Sequence, residues 1–179
     1  EMCIRDRPGG QERIVTATWL RPGERIVDLR LSRSGAQAAM LVDDGQRTTL
    51  RVSGVVRGSD GVPNALTEPI LLPSSGSEDS VEWAGDTNLL VSAYAEKPDE
   101  RVVPRIVSID GTVRELNPLG GLRGISAGDD GAYYAETEEL VFLLVGSSWR
   151  AQELDRGVRD LSFPDLSLIH ISEPTRLRR

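Results

Sequence analysis

From residue 26 to residue 32 the chain alternates in part between apolar and polar side chains. Leu29 and Leu31 fall on one face and Asp28, Arg30 and Ser32 on the other. A period of two is what a half-buried β-strand requires. Ser34-Gly35 predicts a turn, and residues 36–42 a second strand. Asp43-Asp44-Gly45 is a hairpin signal, because Asp and Gly tolerate the positive φ of a tight turn. Residues 49–56 follow as a third strand, with Leu50 and Val52 opposing Arg51 and Ser53. A loop across 58–63 leads into a fourth, 65–72, where Pro69 suits an edge position because proline has no N–H to give a ladder. Four consecutive strands joined by tight turns make one antiparallel sheet.

The order then recurs. Residues 81–84, a turn at Gly85-Asp86, 88–95, a loop through Pro98, 101–109, a turn at Asp110-Gly111 and 112–116 form a second set. A third comprises 122–127, a turn at Asp129-Asp130-Gly131, 132–137, 140–145 and 149–154, and 158–163 begins a fourth. The turns at Gly35, Gly85 and Gly131 recur about every 45–50 residues, the length of a four-stranded β-propeller blade. A β-sandwich also yields short strands between regular turns, but it does not explain one kind of turn recurring with every fourth strand. The expected fold is all-β, a partial β-propeller of about three four-stranded antiparallel blades near 26–72, 79–117 and 122–155, with the start of another at 158–165. Propellers close with four to eight blades, so this is a piece of one. Its end sheets present apolar faces that neighbouring blades would cover, and the isolated chain is expected to aggregate or unfold.

Residues 1–7 and 166–179 read as adapter-encoded artefact on either side of a domain at 8–165. EMCIRDR back-translates as GAG ATG TGT ATA AGA GAC AG and LSLIHI as CTG TCT CTT ATA CAC ATC, which are reverse complements. Two unrelated termini seldom encode opposite strands of one oligonucleotide, and such scars are set aside in reasoning about fold. Cys3 and His170, the only cysteine and the only histidine, both fall in these ends. Residues 8–165 therefore offer no disulfide, no Cys/His zinc site and no Ser-His-Asp or Cys-His nucleophile pair of their own. Nor do the basic and apolar stretches of a lipoprotein signal precede Cys3.

The formal net charge is −7. Glu173 stands against Arg176, Arg178 and Arg179 in the trailing string and the leading string balances, so the segment between carries −9. That sign argues against nucleic-acid binding, which needs a basic surface, and against adhesion to an anionic membrane. No apolar run approaches the length of a membrane-spanning helix. With 18 glycines and 10 prolines, a chain breaker falls about every six residues, which leaves little room for long helices. Lys97 is the one lysine beside 20 arginines, the mark of a GC-rich gene.

Individual residues point to architecture before chemistry. Trp83 and Trp149 are expected to pack between sheets, each N–H finding one partner, rather than to line a ligand site. Trp19 is expected to end a preceding blade as Trp149 ends its own. The pairs Asp43-Asp44 and Asp129-Asp130 lack the spaced pattern of a calcium loop and read as turn formers. The stretch 120–124 has a phosphate-loop look without the Gly-Lys-Ser/Thr ending, and reads as an inter-blade linker. Glu136, Glu138 and Glu139 read as a solvated turn. The run LVFLLV at 140–145 is a central strand if covered and an aggregation hazard if exposed. Of Tyr133-Tyr134 at most one is free for a ligand, since neighbours in a strand point oppositely. No catalytic, cofactor-binding or metal-binding residue is assigned.

The phrases WLRPGERIVDLRLSRSGAQAAMLV, RVSGVVRGSDGVPNALTEPI, VEWAGDTNLLV and GSSWRAQELDRGVRDLSFP occur in this order. Together they resemble the C-terminal propeller region of the actinobacterial LpqB lipoproteins, over nearly all of residues 8–165. The resemblance implies a lipoprotein held outside the cytoplasmic membrane by a lipidated N-terminal cysteine, with a sporulation- and germination-like domain before the propeller. It implies association with the MtrAB two-component system through the extracytoplasmic domain of its sensor histidine kinase. The signal peptide, the lipidation site and the preceding domain are not in this sequence, and no catalytic residues carry over. The expected function is a non-enzymatic extracytoplasmic interaction module without a cofactor, which meets the membrane only through that N-terminal lipid. The alternatives are a propeller enzyme of the lactonase or peptidase-lid kind, and a propeller that binds a small ligand or the cell wall.

Overall fold

The computed structural model describes residues 2–4, 13–15, 17–128, 132–137 and 140–152. The expected turns at 129–131 and 138–139 and the strand at 158–163 lie outside them. Every regular element among the described residues is a β-strand. A short antiparallel hairpin pairs β1 (Met2–Ile4), which falls in the leading string, with β2 (Arg13–Val15). The first sheet follows with β3 (Arg25–Leu31), β4 (Gln37–Asp43), β5 (Thr48–Arg57), β6 (Pro63–Leu66) and β7 (Ile70–Leu72). Its order is β3-β4-β5-β6, with β7 also on β5.

The single strand expected at 65–72 is thus two. β5 is long enough to hold both, pairing Val55 with Leu66 near one end and Val52 with Ile70 towards the other. Between them, Thr67 exchanges backbone and side-chain hydrogen bonds with Gly54, and Pro69 interrupts the donors of the ladder.

The second sheet has β8 (Ser80–Ala84), β9 (Asn88–Ser92), β11 (Arg105–Ser108) and β12 (Val113–Glu115), in the order β12-β11-β9-β8. Here too one expected strand, 101–109, is divided. Pro104 separates β11 from β10 (Arg101–Val102), and β10 leaves the sheet to pair with β13 (Leu119–Gly120). The strand expected at 88–95 ends at Ser92. The third sheet runs β14 (Leu122–Ala127), β15 (Tyr133–Thr137), β16 (Val141–Val145) and β17 (Ser148–Gln152), in that order. The turn between β8 and β9 is closed by Gly85 at φ +71°, a left-handed conformation that glycine adopts without a Cβ penalty.

β8 packs against both β3 and β14, so the first strands of the three sheets stand side by side and the sheets stack face to face. This is the arrangement of blades in a propeller, and the fold is an all-β partial propeller. Alternation along each strand sends side chains into both interfaces. On β4, Ala39 and Leu41 enter the core shared with the second sheet, while Ala38, Met40 and Val42 enter the core behind the first, which Val15 and Trp19 help to close. On β9, Leu89 and Val91 face the first sheet and Leu90 the third. A fully buried leucine is worth about 1.5–3 kcal/mol, and Leu41, Leu50, Leu89 and Leu90 have no exposed surface.

Candidate interaction surface

The tryptophans fasten one sheet to the next. Trp83 on β8 lies in the core between the first two sheets, and its indole Nε1 donates to the carbonyl of Arg30 on β3 at 2.9 Å. Trp149 on β17 packs in the core between the second and third, donating to the carbonyl of Asn117 at 3.0 Å. Trp19 sits in a turn between β2 and β3. The Arg51 guanidinium stands 5.7 Å from its ring centroid. Arg51 is held in turn by Glu24, at 2.6 and 3.2 Å. The Arg51 hydrogen bond, with help from the Arg21 backbone N–H, lowers the Glu24 carboxyl to about 2.

A polar clasp crosses the first interface. Arg30 donates to Asp28 at 2.6 Å and to Glu82 on the neighbouring sheet at 2.7 Å, and the Val81 N–H donates to the second oxygen of Asp28 at 3.0 Å. Burial raises the pKa of both carboxyls, opposed by the Arg30 charge. Alternation puts Asp28 on a polar strand face, yet it is 7% exposed. That face looks at β8 rather than at water. The signal was available, since Asp28 meets Val81, and Arg30 meets Trp83, one blade length further along the chain.

Below the second sheet, residues 93–103 form a strap to the third. Ala95 N–H donates to Leu122 O, Gly121 N–H to Glu100 O, and Arg123 to Ala95 O, each at 2.9 Å. Gly121 has φ +65°, and a Cβ there would lie 2.8 Å from the carbonyl oxygen of Pro98. The glycine-rich stretch 120–124 therefore serves a close backbone crossing as it enters β14. Beside the strap, Glu78 is 2% exposed; its carboxylate accepts from Ser75 N–H and Ser74 Oγ at 2.7 Å and from Gly76 N–H at 3.1 Å, and it pairs with Arg105 of β11.

These parts enclose a groove of about 570 Å³ between the 75–79 linker, the end of β9, the strap, β11 and β12. Tyr94 and Val103, which are 38% and 43% exposed, are among its lining residues. Asp79, Glu96, Glu100 and Glu115 contribute carboxyl groups to its lining. No sequence pattern marked this groove, because its walls come from segments spread between residues 75 and 115.

The remaining singled-out residues occupy structural posts. Asp43 accepts from Gly45 N–H and Arg25, and Asp44 from the N–H groups of Gln46 and Arg47, so both are turn formers with lowered pKa values. Asp129, Asp130, Glu138 and Glu139 lie outside the described residues, and Glu136 is on β15. Tyr133 packs into the core between the second and third sheets, and Tyr134 points to the other face, where it too is engaged. In the 140–145 run, Phe142 and Leu144 enter that core while Leu140 and Val145 stay exposed. Among the described residues no three His, Cys, Asp or Glu side chains are grouped to hold a metal ion.

A family model described as the lipoprotein LpqB beta-propeller domain matches residues 3–164. A search of curated proteins found no match. Among solved structures, one similar chain comes from a structural and mechanistic analysis of two prolyl endopeptidases, with 21% identity, a TM-score of 0.48, and 84% of this chain covered. Another is prolyl oligopeptidase B from Galerina marginata bound to a hydrolysis and macrocyclization substrate, with 16% identity, a TM-score of 0.49, and 80% covered. The chain spans 24% of the length of each of these two.

Proposed function

The chain belongs to the LpqB lipoprotein β-propeller family, and from that membership we propose that it is a non-enzymatic interaction module of an extracytoplasmic, lipid-anchored protein. Its partner in this reading is the extracytoplasmic domain of the sensor histidine kinase of the MtrAB two-component system. The observation that carries the reading is the family match over residues 3–164. The geometry is compatible with it: sheets locked by Trp83, Trp149 and the Arg30 clasp present their loops from a rigid support, and loops on a rigid scaffold bind partners without rearranging it. The acidic charge of the chain directs it to a protein partner ahead of nucleic acid or an anionic lipid surface.

The test is co-purification of the intact lipoprotein with the kinase, repeated after deletion of the propeller. Loss of the kinase on deletion supports the module, and retention moves the function to another part of the lipoprotein. Metal analysis of the intact protein addresses catalysis separately. A tightly held stoichiometric cation would overturn the non-enzymatic part of the reading in favour of a lactonase-like propeller.

A further inference from the structure

We propose that the groove beneath the second sheet is a docking site for an extended segment of a protein partner, one that carries arginine or lysine residues spaced by apolar side chains. The inference deepens the interaction-module reading and rests on it. Three features define the occupant. The groove is amphipathic, since Tyr94 and Val103 offer exposed apolar surface beside acidic groups. Its charge is unbalanced, because five carboxylates share it with the single cation Arg105, which pairs with the buried Glu78 and also stands opposite Glu115. Among the described residues Asp79, Glu96 and Glu100 form no ion pair, although Asp79 accepts from Tyr94 N–H and Glu100 from the N–H groups of Glu96 and Lys97. These carboxylates are dispersed, with no three gathered to ligate a metal ion, so they match several separated cations rather than one compact one. The volume of about 570 Å³ accommodates a few side chains of a peptide. An anionic lipid headgroup would meet like charge here, whereas a basic segment is steered in and seated on Tyr94 and Val103.

The experiment uses the intact lipoprotein and a fluorescent synthetic peptide of alternating arginine and valine, followed by anisotropy. The substitutions are Glu96→Gln with Glu115→Gln, both exposed and outside the core, and separately Val103→Asp. Two rim charge pairs together contribute about a fivefold change in affinity, so the double variant is expected to bind about five times more weakly. Val103→Asp, which removes the apolar contact, is also expected to weaken binding, and a peptide with glutamate in place of arginine is expected not to bind. Unchanged affinity in both variants overturns the proposal. So does equal binding of an all-lysine peptide, which would mark a general polycation effect, and so does stoichiometric displacement of the peptide by calcium. Kinase co-purification is scored in parallel. If the variants lose the peptide yet keep the kinase, the groove stands and the kinase contact lies elsewhere. If the peptide is unaffected, the groove fails whatever the kinase does.

Discussion

Removal of the Trp83 side chain tests the face-to-face stacking of the sheets at its best-defined point. Trp83 is 8% exposed and sits among Leu41, Leu50, Leu89 and Val107, so it contacts both sheets at once. Truncating such an aromatic costs about 3–5 kcal/mol through lost burial and the cavity left behind. Against a total stability of about 5–15 kcal/mol for a domain, that is a large share. Trp83→Phe keeps most of the apolar area but loses the bond to Arg30 O, and is expected to cost about 1–2 kcal/mol. The assay is equilibrium urea unfolding of the intact lipoprotein, with the propeller transition followed by circular dichroism. The expected order of midpoints is wild type, then Phe, then Ala, with one common slope. A cost below about 1 kcal/mol for Trp83→Ala, too small for any core aromatic, would mean that the first two sheets do not meet at this residue. Equal costs for Phe and Ala would mean that the indole N–H, not the packing, carries the interface.

Glu78→Gln removes the carboxylate that pairs with half-buried Arg105 and accepts from Ser74 and Ser75, and is expected to destabilise by about 2–3 kcal/mol in the same unfolding assay. Gly121→Ala places a methyl group against Pro98 O at a positive φ, whereas Gly111→Ala meets open space at φ +89°. The first is expected to cost more than the second, which pays only about 1–2 kcal/mol for the backbone conformation, and hydrogen exchange should show the 93–103 strap opening only in the first. Glu24 has a folded pKa of about 2 against an ordinary 4.5. Its contribution is therefore present above pH 4.5 and lost as pH falls towards 2. Thermal melts across that window should show a smaller acid loss in Glu24→Gln than in wild type.

The parts of the fold legible from sequence are those governed by local rules. The alternation at 26–32 and 49–56 and the turns at Gly35, Gly45, Gly85 and Gly111 each depend on a few neighbouring residues, and each appears within about a residue of its expected place. Division of 65–72 and 101–109 was foreshadowed by Pro69 and Pro104, but its geometry depends on partners elsewhere: β5 for the first, β13 for the second. Asp28 shows what alternation leaves open. Alternation distinguishes the two faces of a strand, but it does not say that both faces of an inner blade are covered. A polar residue on the second face then looks solvated when it is in fact paired across an interface. The groove was invisible for a similar reason, because its walls converge only through the stacking of sheets.

Each sheet interface carries a tryptophan bonded to a backbone carbonyl, but the rest of the fastening differs, and the difference bears on the groove. Between the first and second sheets lie Trp83 and the Arg30 clasp, which span the inner strands. Between the second and third lie Trp149 and the strap, which is tied to Leu122, Gly121 and Arg123. Both walls of the groove are anchored: the 75–79 linker through Glu78 and Arg105, and the strap through Gly121. Its shape is then set before a partner arrives, so little ordering opposes binding. Gly121→Ala, whose added methyl meets Pro98 outside the groove lining, is accordingly expected to weaken the arginine-valine peptide by letting the strap move, while the same substitution at Gly111 leaves affinity unchanged. Anisotropy titrations of the two variants separate the cases. Equal affinities would mean that the strap is free to adjust around its ligand and that the fastening to the third sheet contributes nothing to recognition.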